Sequence, residues 1–265
     1  MSFKIIDTHM HMGRTPSYVA INSKIKDLTD AMDRLDIECA ISATSQGLKD
    51  NYERSIEMDQ RFFDESGGRI YSYFCFSPLH PQPALDLIRA NRDNKIYRGI
   101  KIHPSGCDVN ADDDRWTPIW ELAKELDLPI ISHTWNISYY HPSQKSAFAG
   151  KFERFVSEYP EVTFIFAHSG GRYDGVLAAA KIGREHSNCY FDIAGDINGL
   201  GVLDYLYDNV GPDRILYGSD TYMIEHRPML GVIYGSRKLS NADKEKVLRY
   251  NAEKVYFSDL GGKLL

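Results

Sequence analysis

The chain has 265 residues, of which 43% are hydrophobic and 26% charged, a composition typical of a packed globular protein rather than a disordered one. The formal net charge is −6 and no basic run interrupts the acidic balance, so we expect a small-molecule substrate and neither DNA nor RNA as a partner. The apolar runs are strand-sized and no basic, apolar leader begins the chain, so we expect a cytoplasmic protein without a membrane span or signal peptide.

Eight apolar segments of strand length recur along the chain, with helix-length amphipathic segments between them. The predicted strands are Lys4–Thr8, Cys39–Ala43, Ile70–Phe76, Gly99–His103, Pro129–His133, Thr163–His168, Cys189–Ile193 and Ile215–Gly218. The predicted helices are Ser23–Leu35, Tyr52–Glu65, Pro83–Asn91, Pro118–Leu126, Phe148–Tyr159, Gly175–Arg184, Val202–Asp208, a segment around Pro228–Lys238, and Asn241–Tyr256 with its cap at Asn241.

This alternation predicts an α/β protein with a single domain over residues 1–265, a (β/α)₈ TIM barrel, which typically takes about 250 residues. A doubly wound open sheet is the alternative fold. Such a sheet normally has a glycine-rich turn after its first strand, whereas here the first strand ends in His-Met-His. The barrel is therefore preferred.

Histidines cluster at the ends of the predicted strands, where the active site of a TIM barrel lies. They are His9 and His11 on strand one, His103 on strand four, His133 on strand five and His168 on strand six, and Asp220 follows strand eight. Side chains two residues apart on a strand share a face, so His9 and His11 both face the barrel mouth. Imidazoles with one carboxylate suit Zn²⁺ or a similar ion, which activates a bound water.

With these positions the sequence resembles the amidohydrolase superfamily, in particular the amidohydrolase-related group that includes aminocarboxymuconate-semialdehyde decarboxylase. The matching pieces, which run nearly end to end, are Asp7-Thr8-His9-Met10-His11, Gly99-Ile100-Lys101-Ile102-His103-Pro104, His133, Ala167-His168-Ser169-Gly170-Gly171, Gly218-Ser219-Asp220 and Asn251-Ala252-Glu253-Lys254.

The resemblance implies one divalent metal, usually zinc, bound by His9, His11, His133 and Asp220, with His168 as the acid/base. Other branches of the superfamily carry a carboxylated lysine on strand four, two metals and the strand-eight aspartate as base. For this chain such a branch would mean a carboxylated Lys101, a second ion and Asp220 in a catalytic role. Lys101 is otherwise a substrate cation or a member of an ion pair.

The leading hypothesis is a metal-dependent hydrolase that cleaves an ester, lactone or amide of a small molecule through a metal-activated water. Here His168 moves the proton and Lys101 or His103 stabilises the oxyanion. The alternative is a metal-dependent non-oxidative decarboxylase of a small unsaturated or aromatic acid.

Arg14, Arg98 and Arg172 would hold the carboxylate of such an acid. Trp135 would line the pocket in either case. An inactive barrel that serves as a binding protein is the third hypothesis, and a homodimer is a possible assembly.

Overall fold

Eight parallel strands form one sheet in chain order in the computed structural model, which describes residues 3–13, 24–137, 141–197, 199 and 201–260. The strands are β1 Ile5–Met12, β2 Ile37–Thr44, β3 Ile70–Phe76, β4 Tyr97–Ile102, β5 Ile130–His133, β6 Phe164–Ala167, β7 Cys189–Asp192 and β8 Ile215–Leu216.

The sheet closes because β1 also pairs with the residues that directly follow β8. The backbone N–H and the hydroxyl of Thr8 both donate to the carbonyl of Tyr217, over 3.0 and 2.9 Å. The N–H of Asp220 donates to the carbonyl of His9 over 2.8 Å. The fold is therefore the predicted (β/α)₈ TIM barrel.

Helices follow the strands and surround the barrel. They are α1 Ile25–Arg34, α2 Tyr52–Glu65, α3 Pro81–Ala90, α4 Pro104–Cys107, α5 Thr117–Leu126, α6 Glu153–Glu158, α7 Tyr173–Glu185, α8 Val202–Val210, α9 Arg227–Gly235, α10 Asn241–Glu245 and α11 Asn251–Tyr256. A π-helical turn, Lys246–Tyr250, joins the last two. None of the helices in the described ranges is long and apolar enough to cross a bilayer.

One predicted helix begins several residues later in the structure, and another has a different capping residue. The helix expected from Phe148 begins only at Glu153, because the preceding residues form 3₁₀ turns. The last helix is capped by Ser240 rather than Asn241, since the Ser240 hydroxyl accepts from the N–H of Asp243, whose carboxylate accepts from the N–H of Ser240.

Every residue of β1, β3, β4, β6, β7 and β8 is buried, and apart from β1 and β4 these strands are accordingly almost continuously apolar. Among the helices, α2 contributes a buried polar residue, Asp59, which lies outside the barrel mouth. Its carboxyl accepts hydrogen bonds from the hydroxyls of Ser72 (2.8 Å), Tyr97 (3.1 Å) and Ser55 (3.3 Å). Burial raises the pKa of Asp59 to about 7, although these hydrogen bonds act in the opposite direction.

A raised pKa makes the folded state bind the Asp59 proton more tightly than the unfolded state does. The free energy of unfolding should therefore fall as the pH rises from about 4 to about 7. The slope should be at most roughly 1.4 kcal/mol per pH unit. Asp59→Asn should flatten this dependence in urea titrations at several pH values, whereas Asp64→Asn, at an exposed site on the same helix, should leave the slope unchanged. Equal slopes in all three proteins would contradict this assignment.

Candidate active site

The carboxyl end of the barrel brings together the histidines that the sequence placed at strand ends. The ring of His9 lies 5.1 Å from that of His11 and 4.8 Å from that of His168. The ring of His133 lies 5.0 Å from that of His168 and stacks on that of His103 at 4.1 Å. All these rings belong to one continuous cluster.

Three donor atoms from the two ends of the chain converge within this cluster. His9 Nε2 lies 3.2 Å from His11 Nε2 and 3.7 Å from Asp220 Oδ1, and His11 Nε2 lies 3.1 Å from Asp220 Oδ1. Among the described residues, His168 also places a ring nitrogen within 4.8 Å of ligand atoms of His9 and Asp220. Imidazole nitrogens with one carboxylate form a donor set that fits a divalent first-row cation.

Burial alone would raise the pKa of Asp220. The hydrogen bond from His11 and the charge of His168 outweigh burial and hold that pKa below its ordinary value. Burial, followed by the charge of Lys101, lowers the pKa of His9 well below its ordinary value. The geometry thus favours an ionised carboxylate and a neutral His9, which are the forms that bind a metal.

His133 lies beside the three-atom donor cluster. Its Nε2 is 2.9 Å from Gln144 Oε1, which accepts a hydrogen bond, and its other neighbours are the rings of His103 and His168. Burial, followed by the charges of His103 and His168, lowers the pKa of His133 well below its ordinary value. The structure therefore brings His9, His11 and Asp220 into direct contact and keeps the Nε2 of His133 occupied by a side-chain amide.

Lys101 is almost completely buried on β4, and its Nζ lies 2.9 Å from His9 Nε2. Burial lowers the pKa of Lys101 to about 8, although the charges of Asp192 and Asp220 act in the opposite direction. The lysine therefore donates to the same lone pair of His9 that faces His11 and Asp220.

The backbone holds the His168 ring in one orientation. His168 and Ser169 both have positive φ angles, 60° and 49°, a conformation that non-glycine residues adopt at a cost. The His168 Nδ1 is 3.0 Å from the carbonyl of Ala194, which can only accept. The proton is therefore on Nδ1, which leaves the lone pair on Nε2 for proton transfer.

His103 has the opposite tautomer. Its Nδ1 accepts from the N–H of Gly106 over 3.0 Å, so a neutral ring carries its proton on Nε2. Burial, followed by the charge of Lys101, lowers the pKa of His103 to about 3. His103 is thus a neutral hydrogen-bond donor at the end of β4.

Trp135, Arg172 and Arg14 were also predicted to bind the substrate, and their positions differ from one another. The Trp135 ring lies 5.2 Å from that of His168, at the edge of the cluster. Arg172 is exposed, forms an ion pair with Asp196 over 3.0 Å and lies over Trp135 at 5.6 Å. Arg14 lies outside the described residues.

The expectation that Arg98 holds a substrate carboxylate is wrong. Arg98 is near the beginning of β4, so it lies at the amino end of the barrel, where it is buried against the rings of Tyr71 and Phe257 and pairs with Asp259 over 3.0 Å. The prediction failed because Arg98 lies at the start of its strand, whereas the residues of the barrel mouth lie at the ends of their strands.

One buried aspartate that contacts the site, Asp192, was not identified from the sequence as a functional residue. Asp192 Oδ2 lies 2.9 Å from His9 Nδ1. Asp192 is the last residue of β7, so the same strand-end rule applied to every polar residue would have found it. A second buried aspartate, Asp7, has its Oδ2 3.1 Å from Nδ1 of His226, which is also buried.

A cavity of about 220 Å³ adjoins the cluster at His103. It lies over the carboxyl ends of β2, β3 and β4, and its wall includes Gly47, Asp50, Cys75, Ser77, Gly106 and Cys107. This volume suits part of a small molecule.

A family model described as amidohydrolase matches residues 6–257. A search of curated protein sequences found no match. The fold is similar to that of 5-carboxyvanillate decarboxylase from Sphingomonas paucimobilis, with a TM-score of 0.74, 12% identity and coverage of 97% of this chain and 99% of that one.

Two further solved structures are similar. A dihydroxybenzoic acid decarboxylase from a Polaromonas species, with bound manganese and the inhibitor 2-nitroresorcinol, has a TM-score of 0.73 and 14% identity over 97% of this chain and 98% of that one. A 4-oxalomesaconate hydratase from Rhodopseudomonas palustris has a TM-score of 0.73 and 16% identity over 97% of each chain. At these identities the likeness is one of fold.

We expect His9→Ala and Asp220→Ala each to lower the metal content of the purified protein at least about tenfold, because each removes a ligand atom from a converging set. Elemental analysis after dialysis measures this. The matched control is His186→Ala, since His186 belongs to a second, more exposed group with Glu153 and Glu185 whose ligand atoms also lie within 4.8 Å of one another. Unchanged metal in the first two variants, or loss in the control, would contradict the assignment.

Proposed function

The chain belongs to the amidohydrolase family, and we propose that it is a metal-dependent non-oxidative decarboxylase of a small unsaturated or aromatic carboxylic acid. The observation that carries the proposal is the burial of the reacting groups: His9, His11, His168 and Asp220 are all at most 8% exposed. A site that excludes water destabilises a charged carboxylate and so favours its release as neutral carbon dioxide. Such a site also disfavours reactions in which water is a reactant. The two decarboxylases with the same fold support this choice.

We infer that His9, His11 and Asp220 hold one divalent cation, with His133 close by. When bound, the cation supplies Lewis acidity toward a substrate oxygen. Zinc, expected from the sequence, and manganese, present in the Polaromonas enzyme, are both compatible with nitrogen and carboxylate donors. A second ion on a carboxylated Lys101 is the alternative, and a metal content near two ions per chain would support it.

His168 and His103 would have complementary roles. In decarboxylation the bond between the substrate carbon and its carboxylate breaks, the electron pair stays on carbon, a proton joins that carbon and carbon dioxide leaves. His168 exchanges a proton only at Nε2, since its Nδ1–H is bound by the Ala194 carbonyl, so it would deliver that proton. His103 would donate its Nε2–H to a substrate oxygen, and Lys101 would add positive charge.

The cavity beside His103 would hold the part of the substrate that does not react. Its volume of about 220 Å³ limits this part to a small group. Trp135 would provide an aromatic wall on the opposite side of the cluster, next to His168. The proposed substrate is therefore a compact, planar acid.

The proposal is tested by assaying benzoate-like and muconate-like acids for carbon dioxide release in D₂O. We expect turnover by the metal-loaded protein, with one deuterium on the carbon that carried the carboxylate. His168→Ala should lower kcat by about 10²- to 10⁴-fold, the usual contribution of an acid/base group. His186→Ala should have no effect.

Hydrolysis is the second candidate, because the family model is described as amidohydrolase. Turnover of esters, lactones or amides with no carbon dioxide from any acid would overturn the lyase proposal and support a hydrolase.

The short distance between Gly195 and the His168 ring leads to a further prediction. Gly195 has a φ of +84°, and a Cβ there would lie 2.7 Å from His168 Nδ1. Gly195→Ala should therefore displace the ring and lower kcat at least about tenfold, since small misplacements of a reacting group are costly. Steady-state kinetics on the metal-loaded protein measure this.

Gly201→Ala is the matched control for backbone strain. Gly201 has the same φ of +84°, but nothing lies within 4 Å of its added Cβ. Both variants should lose about 1–2 kcal/mol of stability from the left-handed conformation. Equal kcat values for the two variants would show that the space beside His168 is not required.

A further inference from the structure

Asp192 is completely buried, and the hydrogen bonds of its carboxylate and carbonyl reach His9 and the backbone and side chains around His168. Oδ2 lies 2.9 Å from His9 Nδ1. Oδ1 accepts from the backbone N–H of His168 over 2.7 Å and from that of Ala194 over 3.0 Å. The carbonyl of Asp192 accepts from the Ser169 hydroxyl over 2.6 Å. One residue of β7 thus connects a ligand on β1 to the turn after β6.

The two neighbours of the His9 ring specify its tautomer independently. A carboxylate accepts hydrogen bonds, so Asp192 Oδ2 requires the proton on His9 Nδ1. The ammonium of Lys101 only donates, so its 2.9 Å contact requires the lone pair on His9 Nε2. Both contacts therefore favour the Nδ1–H tautomer.

We propose that Asp192 is a positioning residue that fixes His9 as the Nδ1–H tautomer, so that the Nε2 lone pair faces His11 and Asp220, where a divalent cation would take it in place of the Lys101 ammonium. This inference rests on the metal site of the proposed function. The same carboxylate holds the backbone N–H of His168, so metal affinity and the orientation of the proton carrier depend on one side chain.

Asp7 provides a comparison within the same chain. It is also completely buried, and its Oδ1 accepts from two backbone N–H groups, those of His9 (3.1 Å) and Ser219 (3.0 Å). Its Oδ2 also lies near a histidine Nδ1, that of His226, at 3.1 Å. Asp7 therefore matches Asp192 in burial and contacts, but its histidine partner lies outside the donor cluster.

Asp192→Asn separates tautomer control from backbone support. The amide oxygen can still accept from the N–H groups of His168 and Ala194. The amide does not flip, because its NH₂ group would then face both of these donors. The NH₂ group then faces His9 Nδ1 and donates to it. The His9 proton then moves to Nε2, where it displaces the Lys101 ammonium from its 2.9 Å contact and blocks the metal-binding lone pair.

We expect Asp192→Asn to bind Mn²⁺ or Zn²⁺ about 10- to 100-fold more weakly than the wild type, measured by titration of the metal-free protein against a chelator. Asp7→Asn should bind as the wild type does. Equal affinities for wild type and Asp192→Asn, or an equal loss in both variants, would overturn the inference.

Long-range ¹H–¹⁵N spectra of the metal-free protein report the tautomer directly. We expect His9 to carry its proton on Nδ1 in the wild type and in Asp7→Asn, and on Nε2 in Asp192→Asn. If Asp192→Asn does not fold, the wild-type spectrum decides, because a His9 ring protonated on Nε2 contradicts the inference. If no variant binds metal but the spectra are as expected, the metal site of the proposed function fails and the control of the tautomer stands.

Discussion

The site depends on closure of the barrel between β1 and the chain after β8. The histidine pair and the carboxylate that converge on one point lie at opposite ends of the sequence, and only the closing hydrogen bonds make them neighbours. The N–H of Asp220 donates to the carbonyl of His9, and Thr8 binds the carbonyl of Tyr217 twice. Backbone pairing therefore sets the separation of these three side chains, and their rotamers refine it.

Closure places several ionisable groups in a buried space, which is unfavourable unless each is paired. The chain meets this requirement with contacts that also orient the reacting groups. Asp192 binds the His9 ring, the Ala194 carbonyl binds the His168 ring, and the Gly106 N–H binds the His103 ring. Contacts that lower the cost of burial thus also determine which nitrogen of each histidine carries the proton.

The alternation of apolar segments was sufficient to predict the barrel, and the strand-end rule found the histidines, because both depend on periodicity and chain direction. The sequence could not predict pairing across the barrel, because the contacts of Asp192 with His9 and of Asp7 with His226 join segments whose separation in the chain carries no pattern. Arg98 was misplaced for a different reason: it lies at the start of its strand, and the start of a parallel strand is at the amino end of the barrel, away from the mouth.

In the function proposed for this site, hydrolysis and decarboxylation would use the same residues and differ in the direction of one proton. A hydrolase takes a proton from water, whereas a decarboxylase gives one to carbon. The contact of His168 Nδ1 with the Ala194 carbonyl leaves a single exchanging nitrogen and permits both. What separates them is access of water to that nitrogen. The almost complete burial of His168, and of His9 beside it, therefore favours proton delivery to carbon over activation of water.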